Sequence, residues 1–162
     1  MAYVRKVLLA GETVVYETGL HWLVYGRAIL LLVLAAALAI GSAFVDRSQA
    51  NFLLIPAAVL AALGIIAFII AAVRRASTEL AVTDQRVIFK TGVLSRHTLE
   101  MNRSKVESVD VDQSVLGRVF GYGTVVLRGT GGSLEPMQAI SDPLAFRSHI
   151  TVEPVPRASS SR

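Results

Sequence analysis

The side chains best placed to do chemistry in this chain are cationic. Arg86, Lys90, Arg96, Arg103 and Lys105 fall close together in sequence. Guanidinium and ammonium groups gathered this way suit phosphate, an arginine fork taking two oxygens at once. They define a candidate surface for an anionic headgroup or an acidic partner; the plainer account is a set of solvated strand faces. The acids that follow, Glu107, Asp110 and Asp112, are spread along a single strand with no partner base, so no general acid–base pair is expected. His21, His97 and His149 are too dispersed for metal-ligand spacing. There is no cysteine, which excludes disulfides, thiolate-bound zinc and thiol catalysis. No nucleophile motif frames a serine. Gly129, Gly131 and Gly132 lack the Lys-Ser/Thr that completes a phosphate loop, and read as a hairpin turn. Gly121-Tyr122-Gly123 echoes a potassium-filter fragment, but lies far from any apolar run. No enzyme, cofactor or metal is expected.

The elements that must position these groups are set by two apolar runs, residues 28–45 and 52–73, with no charge inside either. A helix needs roughly 20 apolar residues to cross a hydrocarbon core, and both runs are near that length. The polar break at residues 46–51 is short enough only to turn the chain, giving an antiparallel transmembrane hairpin. A buried helical pair in a soluble protein is the alternative, but neither run has a polar face for water. The first run begins too late and is too long for a signal peptide. Arg5, Lys6 and Arg27 precede the hairpin and Arg74 and Arg75 follow it, whereas the turn carries only Arg47 beside Asp46. Basic ends face the cytoplasm, so both termini are expected there, at the cell (inner) membrane. Trp22, Arg27, Arg74 and Arg75 are the expected interfacial anchors. Ala35, Ala39, Ala43, Ala57, Ala61, Gly64, Ala67 and Ala71 recur mostly at spacings of four, which lets helices approach closely. Pro56 is placed near the start of the second span, where a missing N–H is tolerated.

The chain has 162 residues and a formal net charge of +4, with pI about 9.9 and mean hydropathy +0.56. Removing the hairpin leaves roughly 110 residues, enough for one small domain. The basic balance points to anionic lipid; without dense Arg/Lys runs or aromatic stacking it does not point to nucleic acid.

Residues 1–27 form an N-terminal cytoplasmic segment without a helical stripe. Residues 13–18, rich in β-branched and aromatic side chains, are predicted as a strand; an amphipathic tail on the headgroups is the alternative. After the hairpin, residues 74–150 form a domain of short strands at 78–83, 86–91, 95–102, 105–112, 124–129 and 134–140. The last is marked by Pro136 as an edge or bulged strand. Between the fourth and fifth, Gly117, Gly121 and Gly123 mark a turn-helix-turn whose apolar side is Val115, Leu116, Val119 and Phe120; an exposed apolar patch binding a partner is the alternative there. Asp142-Pro143 starts a helix to Ile150. Residues 151–162 are Pro/Ser-rich and expected to be disordered.

Thr83-Asp84-Gln85-Arg86-Val87, residues 106–111, Leu116-Gly117-Arg118 and Gly121-Tyr122-Gly123-Thr124 form an ordered set, with Gly11-Glu12 and His21-Trp22 before the hairpin. As a set they resemble the bacterial pleckstrin-homology-like family of small membrane proteins, over most of the chain. The resemblance implies an α+β membrane protein: seven strands in two nearly orthogonal sheets, a β-sandwich or barrel capped by a C-terminal helix. Only six strands follow the hairpin, so residues 13–18 are expected to supply the seventh. The hairpin would then interrupt one domain and press it against the bilayer. The expected function is that of a non-enzymatic membrane-anchored scaffold binding a protein, an anionic headgroup or another copy of itself. Its expected partners are membrane lipids, a homo-oligomeric copy and a membrane protein. The competing expectation is an accessory subunit of a transport, export or pore-forming assembly. By association, the resemblance also suggests roles in envelope stress or antimicrobial export.

Overall fold

The computed structural model describes residues 3–92, 97–130 and 134–151. Two compact units emerge, Met1–His21 with Thr78–Arg162, and Trp22–Ser77. The first opens with a helical turn, α1 (Val4–Val7), and a strand, β1 (Val14–Thr18).

The second unit is a pair of helices, each long and apolar enough to cross a membrane. A 3-10 turn at Trp22–Tyr25 runs into α2 (Gly26–Gly41), which closes through another at Ser42–Phe44. Helix α3 spans Arg47–Ser77. The break is therefore much shorter than residues 46–51. Residues 47–51 lack Pro and Gly and join the helix, with the Asp46 carbonyl accepting from Gln49 and Ala50 N–H. Pro56 thus lies well inside α3 rather than at its start, and the Phe52 carbonyl loses its usual donor. Residues 74–77, assigned from sequence to the domain, form the last turn of α3, and residues 22–27 belong to the helical unit. The small residues also pack differently. Ala28 and Ala35 are buried on α2, and Ala57, Gly64 and Ala71 on α3. That spacing is seven, the repeat of a helix–helix seam. Ala39 and Ala43 are exposed. A Cβ on Gly64 would lie 2.9 Å from Leu32, so the helices are in close contact there.

The first unit resumes with β2 (Glu79–Thr83), β3 (Arg86–Thr91) and β4 (His97–Asn102). After a 3-10 turn come β5 (Val106–Asp112), α4 (Val115–Phe120), β6 (Tyr122–Gly129), β7 (Leu134–Ser141) and α5 (Pro143–Thr151). The strands form a four-stranded sheet in the order β1-β2-β3-β4 and a three-stranded sheet in the order β5-β6-β7. All pairings are antiparallel. Thr18 pairs with Leu80 and Tyr16 with Val82, so β1, on the far side of the helical pair in sequence, completes the first sheet. Alternation sends Leu80, Val82, Val87 and Phe89 to one face, and Val125, Leu127, Met137 and Ile140 bury in the other sheet. Phe146 and Ile150 of α5 complete this core. Tyr16 stacks on His149 at 4.4 Å, tying α5 to β1. Burial pushes the Tyr16 hydroxyl pKa up, and the Asp142 charge adds to the rise.

The expected free edge at residues 134–140 is partly taken. Leu20 bridges to Ile140, His21 N–H donates to the Ala139 carbonyl, and Ser141 N–H donates to Gly19. The expected Gly131-Gly132 turn and the tail beyond Thr151 lie outside the described residues.

Candidate functional site

Arg86 faces away from the core and is occupied. Its Nε and Nη2 donate to the two oxygens of Glu12, both at 2.9 Å. Nη2 also donates to the Val7 carbonyl at 2.6 Å, and Nη1 to Glu100 at 2.6 Å. The Glu12 side chain is fully buried and accepts further hydrogen bonds from Thr83 Oγ1 and Leu9 N–H. Burial would raise its pKa, but the hydrogen bonds from Arg86, Leu9 and Thr83, with the Arg86 charge, outweigh it and hold the carboxyl below its usual range. The hydrogen bond to Glu12 raises the Arg86 pKa in turn. Lys90, on the same face of β3, sits 4.9 Å from the centre of the Tyr3 ring. Between them Val4, Ala81 and Ile88 form a small buried cluster against Val7 and Val14. The Glu79 carboxylate accepts from Tyr3 and Val4 N–H at 3.0 and 3.2 Å. Arg86 and Lys90 thus clamp the N-terminal segment over the outer face of the first sheet. The segment is helical at α1, where no helical stripe is visible in sequence, because Glu79 receives its first donors and Val4 is buried.

Arg103 also works inside the domain. Its Nη2 donates to the carbonyls of His149 and Ile150, both at 3.0 Å, satisfying the C-terminal turn of α5. Lys105 is exposed, and its carbonyl accepts from Thr130 N–H. Arg96 lies outside the described residues. The four described cations therefore do not converge on one phosphate-binding surface: Arg86 and Lys90 hold the N-terminal segment, Arg103 holds α5, and Lys105 is exposed. Trp22 is exposed at the start of the helical unit and Arg27 in the first turn of α2. Arg74 and Arg75 stand in the last turn of α3, with Arg75 5.8 Å from the centre of the Tyr25 ring. Tyr25 stacks on Phe68 in turn.

A different site opens beside Arg103. A groove of about 800 Å³ runs along Val106, Glu107, Ser108, Val109 and Asp110 of β5, with Arg147, Ile150 and Thr151 of α5 as its other wall. Among the described residues β5 has a strand neighbour on one side only, β6. One row of its backbone N–H and C=O groups thus faces the groove instead of a ladder, the geometry that accepts an added strand. The alternating Val and Asp/Glu pattern marks β5 as a half-exposed strand. Nothing local in the sequence says that α5 leaves its edge open. Among the described residues no group of three His, Asp or Glu gathers to hold a metal.

A second surface is α4. Ser114 Oγ accepts from Gly117 N–H at its start, and Gly121 ends it in the left-handed conformation at φ 72°. Gln113 Nε2 donates to the Tyr122 carbonyl at 3.1 Å, fixing the turn. Its apolar side, Val115, Leu116, Val119 and Phe120, is exposed.

Two sheets of four and three antiparallel strands, closed by a C-terminal helix, are the arrangement of a pleckstrin-homology domain. The chain belongs to the family described as bacterial PH domain, which matches residues 18–157, from the last residue of β1 through the helical pair and the rest of the domain. No curated protein and no solved structure matches it.

Proposed function

We propose that this chain is a non-enzymatic, membrane-anchored binding and scaffold module. Helices α2 and α3 cross the cytoplasmic membrane, both termini lie on the cytoplasmic side, and the PH domain takes an extended protein segment along the edge of β5. The groove between β5 and α5 carries this reading. A strand entering it would satisfy the β5 backbone groups, and the half-buried Val106 and Val109 offer apolar contact. Headgroup binding through the basic set is less favoured, because Arg86, Lys90 and Arg103 hold the domain together. The segment comes from a second copy or from another membrane protein; nucleic acid, cofactor and metal have no role.

Benzoylphenylalanine at Ser108 of the full chain, irradiated in native membranes, tests this. A protein adduct is expected. A mass of about twice 17.4 kDa would identify a second copy, and any other mass a distinct partner. Adducts to lipid alone, or none, would overturn the reading.

An accessory role in a transport or export assembly is the second reading. Ala39 near the end of α2 and Ala43 in the 3-10 turn that follows favour it, both small and exposed, as a contact with another helix requires.

A further inference from the structure

Among the described residues of the first unit, seven large apolar side chains are exposed: Leu9, Val15, Val115, Leu116, Val119, Phe120 and Leu144. Four of them sit on α4, a helix of six residues. Val115 is 79% exposed, Leu116 60% and Val119 73%. The inner side of α4 is Gly117, where a Cβ would come within 2.6 Å of the Tyr122 carbonyl. The helix therefore approaches the domain through bare backbone and turns its large side chains outward. Both ends are capped, so the apolar surface is presented in one fixed shape. Leu144, 59% exposed, shares a shallow cleft with Arg118 and Gly121 and widens the patch. The only charge on α4 is Arg118, also exposed.

The position of α4 within its own unit says what meets this patch. The chain leaves the domain at His21, and His21 stacks on Tyr122, the residue after the glycine that ends α4, at 5.5 Å. Asp142 N–H donates to the Gly121 carbonyl, while Ser141 N–H donates to Gly19. The cap of α4, the start of α5 and the segment leading to α2 are thus joined at one end of the domain. We propose that α4 is a second, shallow membrane contact. Val115, Leu116 and Val119 enter the boundary between headgroups and acyl chains, and Arg118 meets lipid phosphate at the rim. Asp142 also lines the shallow cleft, but α4 itself carries no acid, and an apolar helix face flanked by a single arginine is the pattern of interfacial insertion. Nearness within the domain to His21, where the chain leaves for α2, selects lipid over a soluble partner. The inference rests on α2 and α3 spanning the bilayer.

The absence of cysteine makes the test direct. Single variants Val119→Cys, Leu34→Cys and Val15→Cys of the full chain carry an environment-sensitive dye, in vesicles of phosphatidylethanolamine and phosphatidylglycerol. Lipids bearing nitroxides at shallow or deep positions, and aqueous iodide, serve as quenchers. The expected result is a blue-shifted probe at 119 quenched severalfold more by shallow nitroxide than the probe at 15, with deep quenching at 34. Adding Leu116→Asp should abolish the shallow quenching at 119. If 34 is quenched by lipid while 119 matches 15 in iodide, the wedge is overturned and the anchor stands. If 119 is shielded from both quenchers, protein covers α4 and the proposal is equally wrong. Iodide quenching at 34 would remove the anchor and the wedge with it.

Discussion

Glu12 and Arg86 lie 74 positions apart and form a buried ion pair. Breaking a buried pair by removing one partner strands the other charge. Glu12→Gln should therefore cost about 3–5 kcal/mol, read from denaturant or thermal unfolding of the detergent-solubilised chain. The pH dependence has a definite sign. The folded-state pKa of Glu12 is depressed, so its stabilisation is full above the ordinary carboxylate range and is lost as pH falls through the lower, folded value. The melting temperature of the wild type should drop on acidification below about pH 4, and the acid limb of Glu12→Gln should be flatter. Ala139 offers the opposite change. It holds a left-handed φ of 57°, a conformation costing a residue with a Cβ about 1–2 kcal/mol, so Ala139→Gly should raise the unfolding midpoint. At this scale the sequence was least informative. Arg86 and Lys90 look like solvated strand cations until Glu12 and Tyr3 are brought to them by tertiary contact, and no local pattern encodes that meeting.

The elements were more legible, because their signals are local. Alternating β-branched residues marked each strand to within about two residues, as expected where one face is buried. Gly117 and Gly121 marked α4 correctly as a short helix between turns. Periodicity could not show that its apolar side is uncovered, since packing is not a property of the segment itself. Small-residue spacing misled in a similar way. Ala39 and Ala43 satisfy the spacing of four, yet the seam of α2 and α3 follows the spacing of seven through Ala35, Ala57, Gly64 and Ala71. Gly64→Leu should force the helices apart and lower stability in detergent by about 1–3 kcal/mol, while Ala39→Leu should leave it nearly unchanged. Gly117→Ala meets a backbone oxygen at 2.6 Å rather than a movable side chain. It should destabilise by a similar 1–3 kcal/mol, detectable as faster amide exchange in α4 and the start of β6.

At the scale of the whole molecule, the first sheet is built from both sides of the helical pair. Deleting Met1–Gly19 removes β1 and the clamp over Ala81 and Ile88, and should make the remaining domain sensitive to limited proteolysis. Equal resistance would mean that β1 is dispensable. The family match, the strand count and the apolar runs were all within reach of the sequence. The β5 groove was not, because it is formed by two elements that are distant in sequence. The insertion between β1 and β2 also bears on how the protein is made. The ribosome finishes β1 before either apolar helix exists, yet β2, its hydrogen-bonding neighbour, emerges only after Ser77. The first strand must stay unpaired while both helices are synthesised. A nascent chain that stalls there carries an open, β-branched strand, which quality-control proteases can recognise before any part of the domain has closed.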